Sequence, residues 1–196
     1  MKIGLYFGSF NPIHVGHLII ANHCAEFTHL DQVWLVVTPQ NPLKNKQSLL
    51  HDRDRLHLVF LAIETYPKLK TCDIEFKMPQ PNYTINTLAQ LTEKHPEHEF
   101  SLIMGEDNLK TLHKWKNFEQ ILKQFPIFVY PRVGVENEVF DLNKWANLEA
   151  KISFVKAPIV EISATFIREN IKLKKNVQPL LPSKVWEYID YNNFYR

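Results

Sequence analysis

Apolar residues come in two rhythms along this chain. Short unbroken runs, Ile3-Gly4-Leu5-Tyr6-Phe7, Val33-Trp34-Leu35-Val36-Val37, Phe100 to Met104, Ile127 to Tyr130 and Ile152 to Val155, lack the alternation of a half-exposed strand. Such runs suit parallel strands buried on both faces. Thr71 to Phe76 reads as one more strand, although charged residues alternate with apolar ones there. Between the runs, apolar positions recur at helical spacing. They are Leu18, Ile19, Ala21, Cys24 and Ala25 within His14–Phe27; Leu56, Val59, Phe60 and Ile63 after a cap at Asp52; and Ile85, Leu88 and Leu91 after a cap at Thr84. Further helices are expected from Gly105-Glu106-Asp107 to about Trp115, over Phe118 to Phe125, from Ser163 through Lys175, and over Ser183 to Tyr191. Val135 to Leu148 shows neither rhythm. Strands alternating with helices in this way imply parallel βαβ units with right-handed crossovers. The expected fold is α/β, a doubly wound and mostly parallel Rossmann-like sheet. It is expected as a single domain over residues 1–196, with a small helical end at the C-terminus.

Composition narrows the function classes. The 196 residues are 45% hydrophobic and 22% charged with a net charge of +2, which is globular and without the basic surplus of a nucleic-acid-coating surface. No nucleic-acid partner is expected, and a small anionic ligand fits the charge. The longest unbroken apolar run, Leu58 to Ile63, is far below the roughly 18 residues of a membrane span. Cys24 and Cys72 fall in apolar segments without CxxC spacing and read as small core residues. The chain enters a strand at once, with no apolar signal segment, so a cytoplasmic protein without a membrane partner is expected. No sequence feature marks an oligomeric state.

In open α/β sheets ligands bind beyond the carboxyl ends of the strands. Unusual polar and basic residues collect at those ends: Gly8–His17, Pro39–Lys46, Pro79–Thr84, Gly105–Asp107, Pro131–Gly134 and the helix start at Ser163. The first of these, GSFNPIHVGH, places a tight turn between a strand and a helix start. Open backbone N–H groups and the helix dipole favour an anion there. His14 and His17, three apart, share one face of the first turn. Such a pair also fits a solvated helix face or a metal, but no third His or Cys lies near in sequence to complete a metal site. Gly16 between them leaves room for a phosphate or a base.

These residues carry a family resemblance. GSFNPIHVGH resembles the HxGH signature of the nucleotidyltransferase superfamily. TPQNPLK (Thr38 to Lys44), DRDRL from Asp52, NYTINTL (Asn82 to Leu88), MGEDNLKTLHKW (Met104 to Trp115), YPRVG (Tyr130 to Gly134) and ISATFIREN (Ile162 to Asn170) follow. Their order is similar to that of bacterial nicotinate mononucleotide adenylyltransferase. The resemblance runs from Lys2 to about Tyr191 and implies the Rossmann-like nucleotidyltransferase fold. It also implies adenylyl transfer from ATP to nicotinate mononucleotide, giving deamido-NAD and pyrophosphate. The attacking group is a phosphate oxygen that is largely ionised at neutral pH, since its second pKa is about 6. No general base or covalent nucleophile is therefore required, and positioning with charge stabilisation suffices.

The resemblance assigns roles. His14 and His17 would contact the ATP phosphates, His17 at the α-phosphate, and Arg168 would pair with the β- and γ-phosphates. Gly8, Ser9, Phe10, Gly16, Lys44, Gly105, Asp107, Arg132 and Ser163 would complete the ATP site, with Asp107 on the adenosine ribose and Lys44 as a mobile phosphate ligand. Asn11, Tyr83, Thr84 and Trp115 would bind nicotinate mononucleotide. There Thr84 offers donors to the carboxylate and Trp115 a face for the pyridinium. Mg²⁺ is expected with ATP, held by phosphates and water, with no protein metal ligands. The chain departs from the family pattern at Phe7, where a second glycine is common. Glu106 replaces alanine, Ala164 replaces serine, and Asn86 replaces aspartate. The alternatives are nicotinamide mononucleotide or phosphopantetheine as acceptor, or a nucleotide-binding module without catalysis.

Overall fold

The computed structural model describes residues 1–39, 49–132, 145 and 147–196. Six parallel strands form one sheet: β1 (Lys2–Gly8), β2 (Gln32–Val37), β3 (Leu69–Cys72), β4 (Glu99–Gly105), β5 (Ile127–Tyr130) and β6 (Ile152–Phe154), in the order β3-β2-β1-β4-β5-β6. Strand β1 lies between β2, with Gly8 opposite Val37, and β4, with Tyr6 opposite Ile103. The chain winds outward from β1 to β3, then returns to the other side at β4. The crevice between the carboxyl ends of β1 and β4 is the switch point at which such sheets take ligands.

Both faces are covered, which is why the strands read as unbroken apolar runs. Ile3, Leu5, Val36, Leu102, Met104, Ile127 and Val129 face a core closed by α3 (Thr84–Lys94) and α5 (Phe118–Gln124). Tyr6, Val33, Leu35, Val37, Ile103, Phe128 and Tyr130 face the opposite core. That side is closed by α1 (Val15–Phe27), α2 (Asp52–Ile63), α6 (Ala164–Lys172) and α7 (Ser183–Tyr191). The short α4 (Glu106–Thr111) follows β4 directly. Cys24 belongs to one core and Cys72 to the other, so the two thiols cannot pair. Burial pushes them up to about 12 and about 11 respectively.

The expected strand over Thr71–Phe76 is a correction. The strand is Leu69–Cys72, and a 3₁₀ turn follows at Ile74–Lys77. The turn draws Glu75 inward to 2% exposure. There the Thr87 hydroxyl donates to Oε1 at 2.7 Å and Asn82 Nδ2 donates to the Glu75 carbonyl at 3.2 Å. The charged positions that looked like an outward strand face belong to a turn folded over a buried acid. The helix expected to reach Trp115 breaks at Thr111 into a 3₁₀ turn, Leu112–Lys114, with Trp115 just beyond it.

One side chain ties the carboxyl-end loops together. Arg55, in α2, is fully buried. Its Nη1 donates to the Ser9 carbonyl at 2.5 Å and the Thr38 carbonyl at 2.8 Å, and its Nη2 to the Pro39 carbonyl at 3.0 Å. Nε reaches the Leu50 carbonyl at 3.1 Å, and the Asp52 carboxylate pairs with Nη2 at 2.5 Å. The loops after β1 and β2 are thus held by one guanidinium, whose planar fork suits several acceptors at once. Arg55→Ala would leave buried carbonyls without donors. It is expected to destabilise the protein by about 3 kcal/mol or more in urea unfolding.

Candidate active site

The cleft at the switch point has a volume of about 1070 Å³ and is lined from every carboxyl-end loop that surrounds it. Its floor is the turn after β1. Phe10 adopts φ 44°, and its ring is buried against Tyr6 and His17 at centroid distances of 5.9 and 5.1 Å. A Cβ at Gly8 would come within 2.8 Å of that ring, so glycine is required where the chain folds back over it. Phe10 therefore offers the cleft its backbone, and its ring belongs to the core.

His14 is the N-cap of α1 and His17 lies in its first turn. The rings lie almost face to face, with centroids 3.8 Å apart and planes 30° apart. The His14 backbone N–H donates to His17 Nδ1 at 3.2 Å, which leaves the proton of a neutral His17 on Nε2. Burial, with the Arg132 charge adding to it, lowers His14 to about 4. Burial and the neighbouring His14 and Arg132 hold His17 well below the usual imidazole range. Both rings are uncharged at neutral pH, and His14 Nδ1 has no partner among the described residues. A Cβ at Gly16 would come within 3.1 Å of that nitrogen, so the missing side chain seats the His14 ring.

Asn11, expected as a contact for nicotinate mononucleotide, is 2% exposed. Its Oδ1 accepts from the Leu50 N–H at 3.1 Å and from the Tyr195 hydroxyl at 2.8 Å. Its backbone carbonyl accepts from Arg168 Nη1 at 2.8 Å. The side-chain oxygen thus works within the fold, as a pin between the two ends of the chain that sets the carbonyl on which Arg168 rests. Arg168 Nη2 also reaches the Thr165 hydroxyl at 3.3 Å. Ser163 is the N-cap of α6, its Oγ accepting from the Phe166 N–H at 3.1 Å.

Gly105, expected to give a nucleotide passage, does not line the cleft. A Cβ there would come within 2.4 Å of Asp107 Oδ1 and 3.1 Å of Arg132 Cγ, so its space is taken by those side chains. Asp107 meets Arg132 at 3.4 Å, and Glu106 accepts from the Arg132 backbone N–H at 3.0 Å. The acid that departs from the family pattern thus anchors the exit of β5. At the other end of the cleft, α3 begins at Thr84 with Tyr83 as an N-cap that makes no side-chain capping bond. Thr84 is therefore the first residue of the helix and not its cap. Trp115 stands at the same end, half-buried against the α3-side core, and Lys116 Nζ lies 4.5 Å from the centre of the Tyr83 ring.

His14, His17, Gly8, Ser9, Phe10, Asn11, Gly16, Tyr83, Thr84, Asp107, Trp115, Arg132, Ser163 and Arg168 all line this one cleft. Lys44 lies outside the described residues. Sequence reasoning missed Glu75, Asn82, Lys114 and Lys116 in the lining, and Arg55 and Tyr195 behind it. A second arginine in DRDRL, one helical turn from an acid, was the available signal for Arg55. Nothing local marks Tyr195. Among the described residues Asn82 Oδ1 is buried without a hydrogen-bond partner. Burial raises the Glu75 carboxyl, and hydrogen bonds from Thr87 and Thr38 oppose the rise.

Residues 5–170 match the family model described as cytidylyltransferase-like. A protein of Flavobacterium psychrophilum named "Probable nicotinate-nucleotide adenylyltransferase" is 68% identical over 196 residues, covering 100% of both chains. Its namesake from Bacteroides thetaiotaomicron is 45% identical over 96% of this chain and 91% of its own. Among solved structures, Plasmodium falciparum nicotinic acid mononucleotide adenylyltransferase complexed with NaAD superposes with a TM-score of 0.79. It is 18% identical and is covered to 97%, with 99% of this chain covered. At that identity the likeness concerns the fold.

Because burial lowers the His14 pKa on folding from its usual 6.5, the unfolded chain binds more protons below that pH. Stability is therefore expected to fall as pH drops from 6.5 to about 4. The loss from His14 is roughly 2–3 kcal/mol, and His17 adds in the same direction. Urea unfolding across that range should show a shallower fall for His14→Gln. Tyr195→Phe, which removes one hydrogen bond to the buried Asn11 side chain, is expected to lower stability by about 1 kcal/mol in urea unfolding.

Proposed function

The chain belongs to the nicotinate-nucleotide adenylyltransferase family of the cytidylyltransferase-like proteins, and from that premise we propose how its cleft performs the transfer. The enzyme moves the adenylyl group of ATP to nicotinate mononucleotide, yielding deamido-NAD and pyrophosphate in NAD biosynthesis. An oxygen of the mononucleotide phosphate forms a bond to the α-phosphorus of ATP. The bond from that phosphorus to the bridging oxygen breaks, and its electron pair leaves with pyrophosphate. The nucleophile arrives ionised, so the protein's work is to align two anions and stabilise the charge between them.

The observation that supports this reading best is that two uncharged imidazoles on the first turn of α1 share one cleft with Arg168 and the uncapped start of α3. His17 Nε2–H is the donor for the α-phosphate oxygen where negative charge builds. His14 and the first amides of α1 stand beside it. A neutral donor binds the charge that develops without clamping the ground-state triphosphate as an imidazolium would. Arg168, with the Ser163-capped start of α6, takes the departing phosphates. Asp107 receives the adenosine ribose hydroxyls, moving off Arg132, which is then free for phosphate. Thr84 and the open amides of α3 receive the nicotinate carboxylate, and Trp115 stacks on the pyridinium.

Among the described residues the cleft brings together imidazoles, guanidiniums, ammoniums and hydroxyls, with its carboxylates engaged, Asp107 with Arg132 and Glu75 with Thr87; this set suits phosphates more than a bare divalent ion. Mg²⁺ would therefore be held by the triphosphate and water, and would neutralise phosphate charge when bound. The packing of α7 on α2 and the bond from Tyr195 to Asn11 support reading residues 1–196 as one domain. Among the described residues no helix is long and apolar enough to cross a membrane. We assign the enzyme to the cytoplasm.

Pyrophosphate release from ATP and Mg²⁺ should appear with nicotinate mononucleotide, and its absence at high enzyme concentration would overturn the reading. His17→Ala is expected to lower kcat by about 10² to 10³ with the circular dichroism spectrum unchanged. Thr84→Ala should raise KM for nicotinate mononucleotide alone; an equal rise for ATP would contradict the placement of the acceptor.

A further inference from the structure

We propose that Lys116 sets acceptor specificity, its ammonium favouring a pyridine carboxylate over the corresponding carboxamide; this rests on the adenylyl-transfer reading above. Lys116 directly follows Trp115 and lines the same cleft. The Trp115 N–H closes the preceding 3₁₀ turn on the Leu112 carbonyl at 2.9 Å, which fixes where the chain carries both side chains into the cleft. Lys116 Nζ stands 4.5 Å from the centre of the Tyr83 ring, and Tyr83 is the residue that opens α3. One ammonium, one indole and the uncapped first turn of a helix therefore meet at one end of the cleft.

The two mononucleotides that could enter here share ribose, phosphate and pyridinium. They differ in one substituent, anionic in the acid and neutral in the amide. Stacking on Trp115 serves both rings alike and cannot separate them. The amides of α3 favour an anion through a partial charge, whereas Lys116 adds a whole one. The Tyr83 face is a holding position for an exposed ammonium, a weak contact that is easily left for a carboxylate. The flexible stem lets Nζ follow the ligand without moving the turn. Glu75, the acid in the lining nearest α3 in sequence, is buried with its carboxyl bonded to Thr87.

The test is steady-state pyrophosphate release by the full chain, with ATP and Mg²⁺ saturating and each mononucleotide varied. It compares the unsubstituted enzyme, Lys116→Met and Lys116→Arg. Methionine keeps the apolar stem on Tyr83 and removes the charge. The expected result is a KM for nicotinate mononucleotide raised about three- to fivefold in Lys116→Met, the range of an exposed ion pair. The kcat with that substrate, the kinetics with nicotinamide mononucleotide and the KM for ATP should stay within about twofold, and arginine should restore the preference. The advantage of the unsubstituted enzyme over Lys116→Met should shrink as salt is raised. An unchanged ratio of kcat/KM between the two mononucleotides would overturn the proposal. An equal loss for both would also overturn it, since it would show that Lys116 only supports Tyr83. If the unsubstituted enzyme releases no pyrophosphate with nicotinate mononucleotide, the functional reading itself fails; normal turnover with an unchanged ratio removes only the role of Lys116.

Discussion

The buried guanidinium of Arg55 is the constraint on which the cleft depends. It holds the carbonyls of Ser9, Thr38, Pro39 and Leu50 in one plane of hydrogen bonds and is neutralised by Asp52. A charge taken out of water is tolerated only when its donors are met, and here the loops that bear the ligand groups meet them. The loops after β1 and β2 thereby gain a fixed separation. The turn that carries His14 and His17 follows Ser9, so its geometry is inherited from a helix none of whose residues line the cleft.

A second tie completes the frame from the far end of the chain. Tyr195 and the Leu50 amide both bond to the Asn11 side chain, while Arg168 rests on the Asn11 carbonyl. Residues separated by most of the chain length are thus held at one turn. The electrostatics follow from the same packing. Burial keeps the histidines uncharged, so the positive charges among the described lining residues are those of Arg168, Arg132, Lys114 and Lys116, and the Arg132 charge itself helps to hold both imidazoles neutral.

Much of the site was legible because its residues are local. Gly8 to His17 is a strand end, a turn and a helix start in direct succession, an arrangement that needs no distant partner to be read. Ser163 as a cap and Thr84 at a helix start were also legible from neighbours alone, though the exact cap at α3 is Tyr83. The strand expected over Thr71–Phe76 was misread because a 3₁₀ turn after Cys72 buries Glu75, whose carboxylate accepts from the Thr87 hydroxyl, a partner distant in sequence. The groups that hold Asn11 and fill the space beside Gly105, Tyr195 and Arg132, are likewise distant in sequence.

The sequence by itself determined the parallel sheet, through apolar runs that only a doubly covered strand can satisfy. The glycine turn and the histidine pair on one helical turn marked an anion site, and the reaction type came from the resemblance of that stretch and the motifs after it to a known family. These are short-range properties, written in the spacing of adjacent residues. The tertiary structure alone decided the charge state of His14 and His17, the partners of Asn11, the burial of Arg55 and Glu75, and the meeting of Lys116 with Tyr83. Each of these depends on desolvation or on a contact between remote segments, and neither exists until the chain has closed around the cleft.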